Sequence, residues 1–128
     1  MGAEIAAQVL PGFGFGPAQV AAIQGMIVAT QLPQSPHTLL EEILADADLD
    51  VFGREDFSMR NQALRNELAA SGTQVSDERW YRSQLQMLEK HRYWTAAARS
   101  LRTEGKQKNI EVVKRLLAQS ESRPSERP

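Results

Sequence analysis

The stretch Thr38-Leu39-Leu40-Glu41-Glu42-Ile43-Leu44-Ala45-Asp46-Ala47-Asp48-Leu49-Asp50 sets the fold class. Leu39, Leu40, Ile43, Leu44 and Ala47 fall on one face when successive residues turn by about 100°. That spacing predicts a helix from about Thr38 to Leu49. The same stretch ends in three carboxylates within five residues, Asp46, Asp48 and Asp50. They repel one another and sit near a helix C-terminus, where negative charge is disfavoured. A sequence chosen only for stability avoids such a run, so it is the first candidate for chemistry. On the helical wheel Asp48 flanks the apolar stripe on one side and Asp50 on the other, while Asp46 points further away. Asp48 is therefore expected to face a cleft at the edge of the core. The structural alternative is a solvated helix end that caps the next turn.

Working outward, the same periodicity recurs on both sides. Ala3 to Leu10 has helical composition and stops at Pro11. Pro17 suits the first position of a second helix reaching about Thr30, with Val20, Ile23, Met26 and Ile27 as its stripe. Between them, Gly12, Gly14 and Gly16 interleave with Phe13 and Phe15. This run lacks the Lys and hydroxyl residue of a phosphate loop and follows no strand, so its phenylalanines are expected to pin a turn to the core. Downstream, helices are predicted from Glu55 to Ala70, from Asp77 to about Arg92 behind a Ser76 N-cap, and from about 98 to 118. The last of these is expected to bury Leu101, Ile110, Val113, Leu116 and Leu117. Tyr93-Trp94-Thr95 reads as a break. No period-two alternation is long enough for a strand, so the expected architecture is all-α, about six helices in a single domain over 1–118. Residues 119–128, built only of Gln, Ser, Glu, Arg and Pro, read as a disordered tail.

With 128 residues and 41% apolar content, the chain can form one modest core. It has no cysteine, which excludes disulfides, thiolate metal sites and cysteine nucleophiles. The longest apolar stretch, Val20 to Thr30, is broken by Gln24 and Gly25 and is too short to span a bilayer. No basic residue precedes an N-terminal apolar region, so no secretory signal is expected. The chain reads as soluble and cytoplasmic, with no membrane partner. A net charge of −1 conceals an uneven distribution: residues 1–53 hold six acids and no Lys or Arg, while residues 54–128 hold all fifteen bases and ten acids. Such a division fits two halves that face each other, or solvated faces that differ in sign.

Neither histidine completes a metal site by sequence alone. His37 lies eleven residues before Asp48, roughly 16 Å along one helix, too far to share an ion, and is expected near a helix N-terminus. His91 among Lys90, Arg92 and Tyr93 reads as a surface or packing residue. Arg99, Arg102 and Lys106 bunch after the aromatic break and are the phosphate-binding candidates, since guanidinium grips phosphate in a two-pronged fork. A pI near 6.1 and the lack of a recognised motif argue against a nucleic-acid partner.

Several segments in order resemble the HD-domain metal-dependent phosphohydrolase superfamily, close to a bacterial branch found alongside nucleotide cyclases. They are Leu10-Pro11-Gly12-Phe13-Gly14, Met26 to Thr30, Leu32 to Pro36, Leu40 to Asp50 with Gly53-Arg54, His91 to Arg99, and Gly105-Lys106. The resemblance implies an HD-like helical bundle. It also implies a site built from an early histidine, a His-Asp doublet and a late aspartate, which together hold a divalent metal (Mn, Fe or Mg) that activates water against a phosphate ester. The late aspartate maps to Asp48, with Asp46 as second choice. No His-Asp doublet occurs here, and the implied early ligands would precede the stretch resembling Gly2 to Ala6, so the domain reads as N-terminally truncated. A hydrolytic centre needs about three protein ligands and an open position for water. The expectation is an HD-type domain with no catalytic residue and no cofactor of its own, serving regulation or interaction. The competing expectation is an enzyme that works only when a further N-terminal segment or a partner chain supplies histidines. Missing early helices would leave apolar faces on the second and third helices, to be covered by a homo-oligomer or a partner protein.

Overall fold

The computed structural model describes residues 1–122. Six α-helices account for most of them: α1 (Gly2–Val9), α2 (Pro17–Ala29), α3 (Leu39–Asp48), α4 (Phe57–Ala70), α5 (Asp77–Lys90) and α6 (Ala96–Ser122). Short 3-10 turns occupy Leu10–Phe13 and Asp50–Gly53, and no strand occurs among the described residues. The all-α class and the helix count are those the apolar spacing predicts. The expected tail begins too early, because α6 continues through residues 119–122; residues 123–128 lie outside the described residues.

The described residues divide into two compact units: residues 1–49 with 93–96, and residues 50–92 with 97–122. The first contains α1, α2 and α3. Pro17 stands at the first position of α2, as expected, and the Gln19 side chain reaches back to accept the Gly16 N–H at 2.9 Å. Helix α3 opens with a reciprocal cap. Thr38 Oγ1 accepts the Glu41 N–H, while the Glu41 carboxylate accepts the Thr38 hydroxyl and the His37 N–H.

The interior of this unit is made mostly of small residues, with Tyr93 the one large side chain among them. Ala6, Val20, Ala29, Ala45 and Tyr93 are its buried apolar side chains. Its larger ones point outward: of fourteen exposed large apolar residues among those described, eleven lie within residues 1–44. Phe13 and Phe15 are among them, so the phenylalanines of the glycine-rich turn do not anchor it to a core. Leu39, Leu40, Ile43 and Leu44 are exposed too, which corrects the expectation that this stripe faces inward.

The second unit packs more conventionally. Phe52, Phe57, Trp80, Leu88, Ile110 and Val113 are buried, and the Phe52 ring meets Phe57 edge-on with centroids 6.1 Å apart. Leu101, expected inside, is 68% exposed. Helix α4 ends where Gly72 adopts φ 96°, letting Thr73 N–H bond back to the Leu68 carbonyl at 2.8 Å. Helix α5 starts on Ser76, whose hydroxyl accepts the Arg79 N–H as expected. Arg65 ties α4 to this start: it bonds the Val75 carbonyl at 3.0 Å and Asp77 at 2.8 Å and lies beside the Trp80 and Tyr81 rings. Helix α6 crosses the 3-10 turn at backbone contact. A Cβ on Gly105 would lie 2.1 Å from the Gly53 carbonyl oxygen, and one on Gly53 would lie 2.5 Å from the Arg102 carbonyl oxygen. Asn109, one turn further along α6, donates its amide to the carbonyls of Phe52 and Arg54 at 2.9 and 3.0 Å. The carbonyls of Phe52 and Arg54 thereby gain a side-chain partner.

Candidate functional site

The acidic run at the end of α3 places its members in different surroundings. Asp46 is only 6% exposed. One carboxylate oxygen accepts the Trp94 N–H at 2.7 Å; the other accepts the Thr95 N–H at 2.9 Å and the Thr95 hydroxyl at 2.8 Å. These donors sit immediately before the first residue of α6, where backbone N–H groups lack helical partners and attract an anion. Asp46 is thus the capping acid of residues 94–95. Neighbouring bonds complete a clasp on the same segment. The Tyr93 hydroxyl donates to the Leu49 carbonyl at 3.1 Å. Gln34 donates to the Ala45 carbonyl at 3.0 Å and accepts the Trp94 indole N–H at 3.3 Å.

Asp48, the preferred metal ligand of the sequence reading, is exposed on the last turn of α3. The two aspartates therefore exchange the expected places: Asp46 turns inward and Asp48 outward, because the polar side of α3 is the side that packs. Asp50, in the second unit, receives Arg102 through two hydrogen bonds of 2.6 and 3.3 Å, with Arg54 3.6 Å away. Arg54 also meets Asp56 at 2.9 Å, and Arg60 meets Asp56 at 2.6 Å. Hydrogen bonds from Arg54, then Arg60, hold the Asp56 carboxyl well below the usual carboxylate range.

Two of the three phosphate-binding candidates are engaged by other groups of the chain. Arg102 is engaged with Asp50, and Arg99 is exposed. The Lys106 ammonium donates to the His91 carbonyl, and burial pushes its pKa down. Lys106 and Lys114 border a cavity of about 280 Å³ that also admits Glu89, Thr103 and Gln107. His91 ends α5 with its ring edge-on to Phe52, centroids 5.0 Å apart, as a packing residue would be. His37 is exposed just ahead of α3 and lines a separate cavity of about 390 Å³ with Ala3, Gln24, Gly25, Val28, Ala29, Ser35 and Glu41.

These residues do not fit a divalent metal of the kind the resemblance implies. Both Asp46 oxygens are directed at protein donors, Asp48 projects from the helix surface, and no three His, Asp or Glu side chains converge among the described residues. The capping role of Asp46 and the Asp50–Arg102 pair were not visible in the sequence. The one available signal was a Thr shortly after an aromatic break, a residue type that suits a helix start. No protein-family model matches the chain, and no curated protein or solved structure is significantly similar to it. No helix of the described residues is long and apolar enough to cross a membrane.

Proposed function

We propose that this chain is an HD-phosphohydrolase-like helical module that acts by binding a partner rather than by hydrolysis. The observation that carries this reading is the placement of Asp46, a buried carboxylate both of whose oxygens accept hydrogen bonds from residues 94–95. A carboxylate in that position stabilises a turn. The exposed apolar face of α3, Leu39, Leu40, Ile43 and Leu44, supports the interaction role, since exposed apolar faces of this kind mark sites covered by another chain. A cysteine-free sequence suits a reducing, cytoplasmic setting.

The exposure of Asp48 favours a second reading, in which a partner supplies histidines that complete a Mn, Fe or Mg centre for phosphate-ester hydrolysis. One experiment separates the two. The purified chain is loaded with each metal, desalted, and assayed for bound metal and for hydrolysis of nucleotides and p-nitrophenyl phosphate. Sub-stoichiometric metal and no turnover are expected. Stoichiometric metal with turnover that Asp48→Ala abolishes would reverse the assignment.

A further inference from the structure

Helix α3 is amphipathic, but it faces the wrong way for a helix of an isolated domain. At about 100° per residue, Leu39, Ile43, Ala47, Leu40 and Leu44 fill an arc of roughly 140°. All five are exposed, Leu39 and Leu40 at 67% and 60%. Ala45, opposite the arc, and Asp46, beside its Leu39 edge, are the buried residues of the helix. A helix with this pattern ordinarily buries its apolar arc.

The charge around the arc is of one sign. Residues 1–49 carry Glu4, Glu41, Glu42, Asp46 and Asp48 and no Lys or Arg. Asp48 and Glu41 follow Leu44 around the wheel on one flank. Glu41 also enters the 390 Å³ cavity whose walls include Ala3, Val28 and Ala29. A recess walled on one side by Ala3, Val28 and Ala29, with a carboxylate inside, suits a side chain with an aliphatic stem and a cationic head.

From these two observations, we propose that the outward face of α3 is the seat of a basic amphipathic helix, whose aliphatic anchors cover Leu39, Leu40, Ile43 and Leu44 and whose Lys or Arg enters the Glu41 recess. This names the partner class for the interaction role proposed above and rests on it. A two-fold pairing of this face with a second copy is disfavoured, because it would bring two base-free, acidic surfaces together.

The test uses the full chain and a fluorescent peptide of about 18 residues, long enough for five helical turns. The peptide contains only Leu and Lys, with Leu at i, i+3, i+4 and i+7. A Leu/Glu peptide of the same pattern is the comparison. Anisotropy should show the Leu/Lys peptide binding at least about tenfold more tightly than the Leu/Glu peptide. Ile43→Glu should weaken it by about tenfold or more, because a charge is placed under the anchors. That substitution adds negative charge, so purely ionic attraction would strengthen instead. Leu40→Glu provides a second variant at an exposed position, and Glu41→Gln, which keeps the cap to Thr38, should cost about threefold.

Equal binding of both peptides, or Leu/Lys binding indifferent to Ile43→Glu and Leu40→Glu, would overturn the proposal. So would a dimer in light scattering that Ile43→Glu dissociates and the peptide does not displace. Each of those outcomes leaves the non-catalytic reading standing, whereas metal-dependent turnover would remove that reading without altering the peptide result.

Discussion

Replacing Asp46 by alanine is the perturbation that best separates a structural acid from a member of a metal-binding cluster. Asp46→Ala removes the acceptor of two backbone N–H groups and one hydroxyl at 2.7, 2.9 and 2.8 Å, at a position 6% exposed. Deleting a helix-capping acid alone costs about 1–2 kcal/mol, and each donor left buried adds about 1–3 kcal/mol where water cannot replace the lost partner. Local relaxation of residues 93–95 recovers part of this, which places the expected loss at about 3 kcal/mol. That is a large share of a typical stability of roughly 5–15 kcal/mol, and lowers Tm by on the order of 10 °C. If Asp46 were only one of three clustered carboxylates near a helix C-terminus, its removal would relieve repulsion and stabilise by about 0.5–1 kcal/mol. The two accounts differ in sign. Denaturant titration followed by helical circular dichroism gives the free energy, and amide hydrogen exchange at Trp94 and Thr95 locates it. Asp46→Asn, which retains one acceptor oxygen, should lose about 2 kcal/mol, and Thr95→Val, which removes one bond of three, about 1 kcal/mol. Asp48→Ala should stay within about 0.5 kcal/mol of the parent. A stabilised Asp46→Ala with unchanged exchange at residues 94–95 would refute the capping assignment.

Two further outcomes follow from the second unit. Gly105→Ala replaces the poorer helix former with the better, a change worth about +1 kcal/mol in an unobstructed helix; here its Cβ would meet the Gly53 carbonyl at 2.1 Å, so a loss of about 3 kcal/mol is expected, whereas Gly12→Ala, with open space around it, should change Tm little. The Asp56 carboxyl titrates below its unfolded value because Arg54 and Arg60 bond it; its stabilisation is therefore fully present above the ordinary Asp pKa and is lost as pH falls toward the folded one. Stability measured from pH 6 down to pH 2 should converge for parent and Asp56→Asn at the acid end and diverge near neutrality, and parallel curves would contradict the pairing.

The elements were legible because their signals are local. Pro17 at the start of α2, Ser76 ahead of α5 and Gly72 after α4 each act through backbone geometry within a few residues, and sequence carries that information directly. Orientation is different, since a helical wheel identifies an apolar arc without saying whether this chain supplies the surface to cover it. For α3 the assumption that the arc faces inward reversed the positions of Asp46 and Asp48. The Asp50–Arg102 bond and the Asn109 amide on the Phe52 and Arg54 carbonyls join residues more than fifty positions apart, and nothing local distinguishes those side chains from solvated ones. Leu101 and Phe13 failed for the same reason as α3: apolarity was taken as burial, although apolar atoms form much of any folded surface.

The inversion of α3 also explains why its acidic run is tolerated. Were the apolar arc buried, Asp46 and Asp48, about 160° apart on the wheel, would flank it at its two edges, and the carboxylates at the helix C-terminus would bring no return. With the arc outward, Asp46 accepts the N–H groups of Trp94 and Thr95, and Asp48 is exposed to solvent. Local preference and tertiary placement disagree along α3 while agreeing for α5, whose Trp80 and Leu88 are buried, and such disagreements concentrate where a chain serves something beyond its own stability. Placing five apolar side chains of α3 in water opposes folding, and a partner that withdraws them from water would recover roughly 25 cal/mol for each Å² covered. The partner's binding energy and this chain's stability are therefore coupled: a ligand bound at one hundred times its Kd should raise the unfolding free energy by about 2.7 kcal/mol.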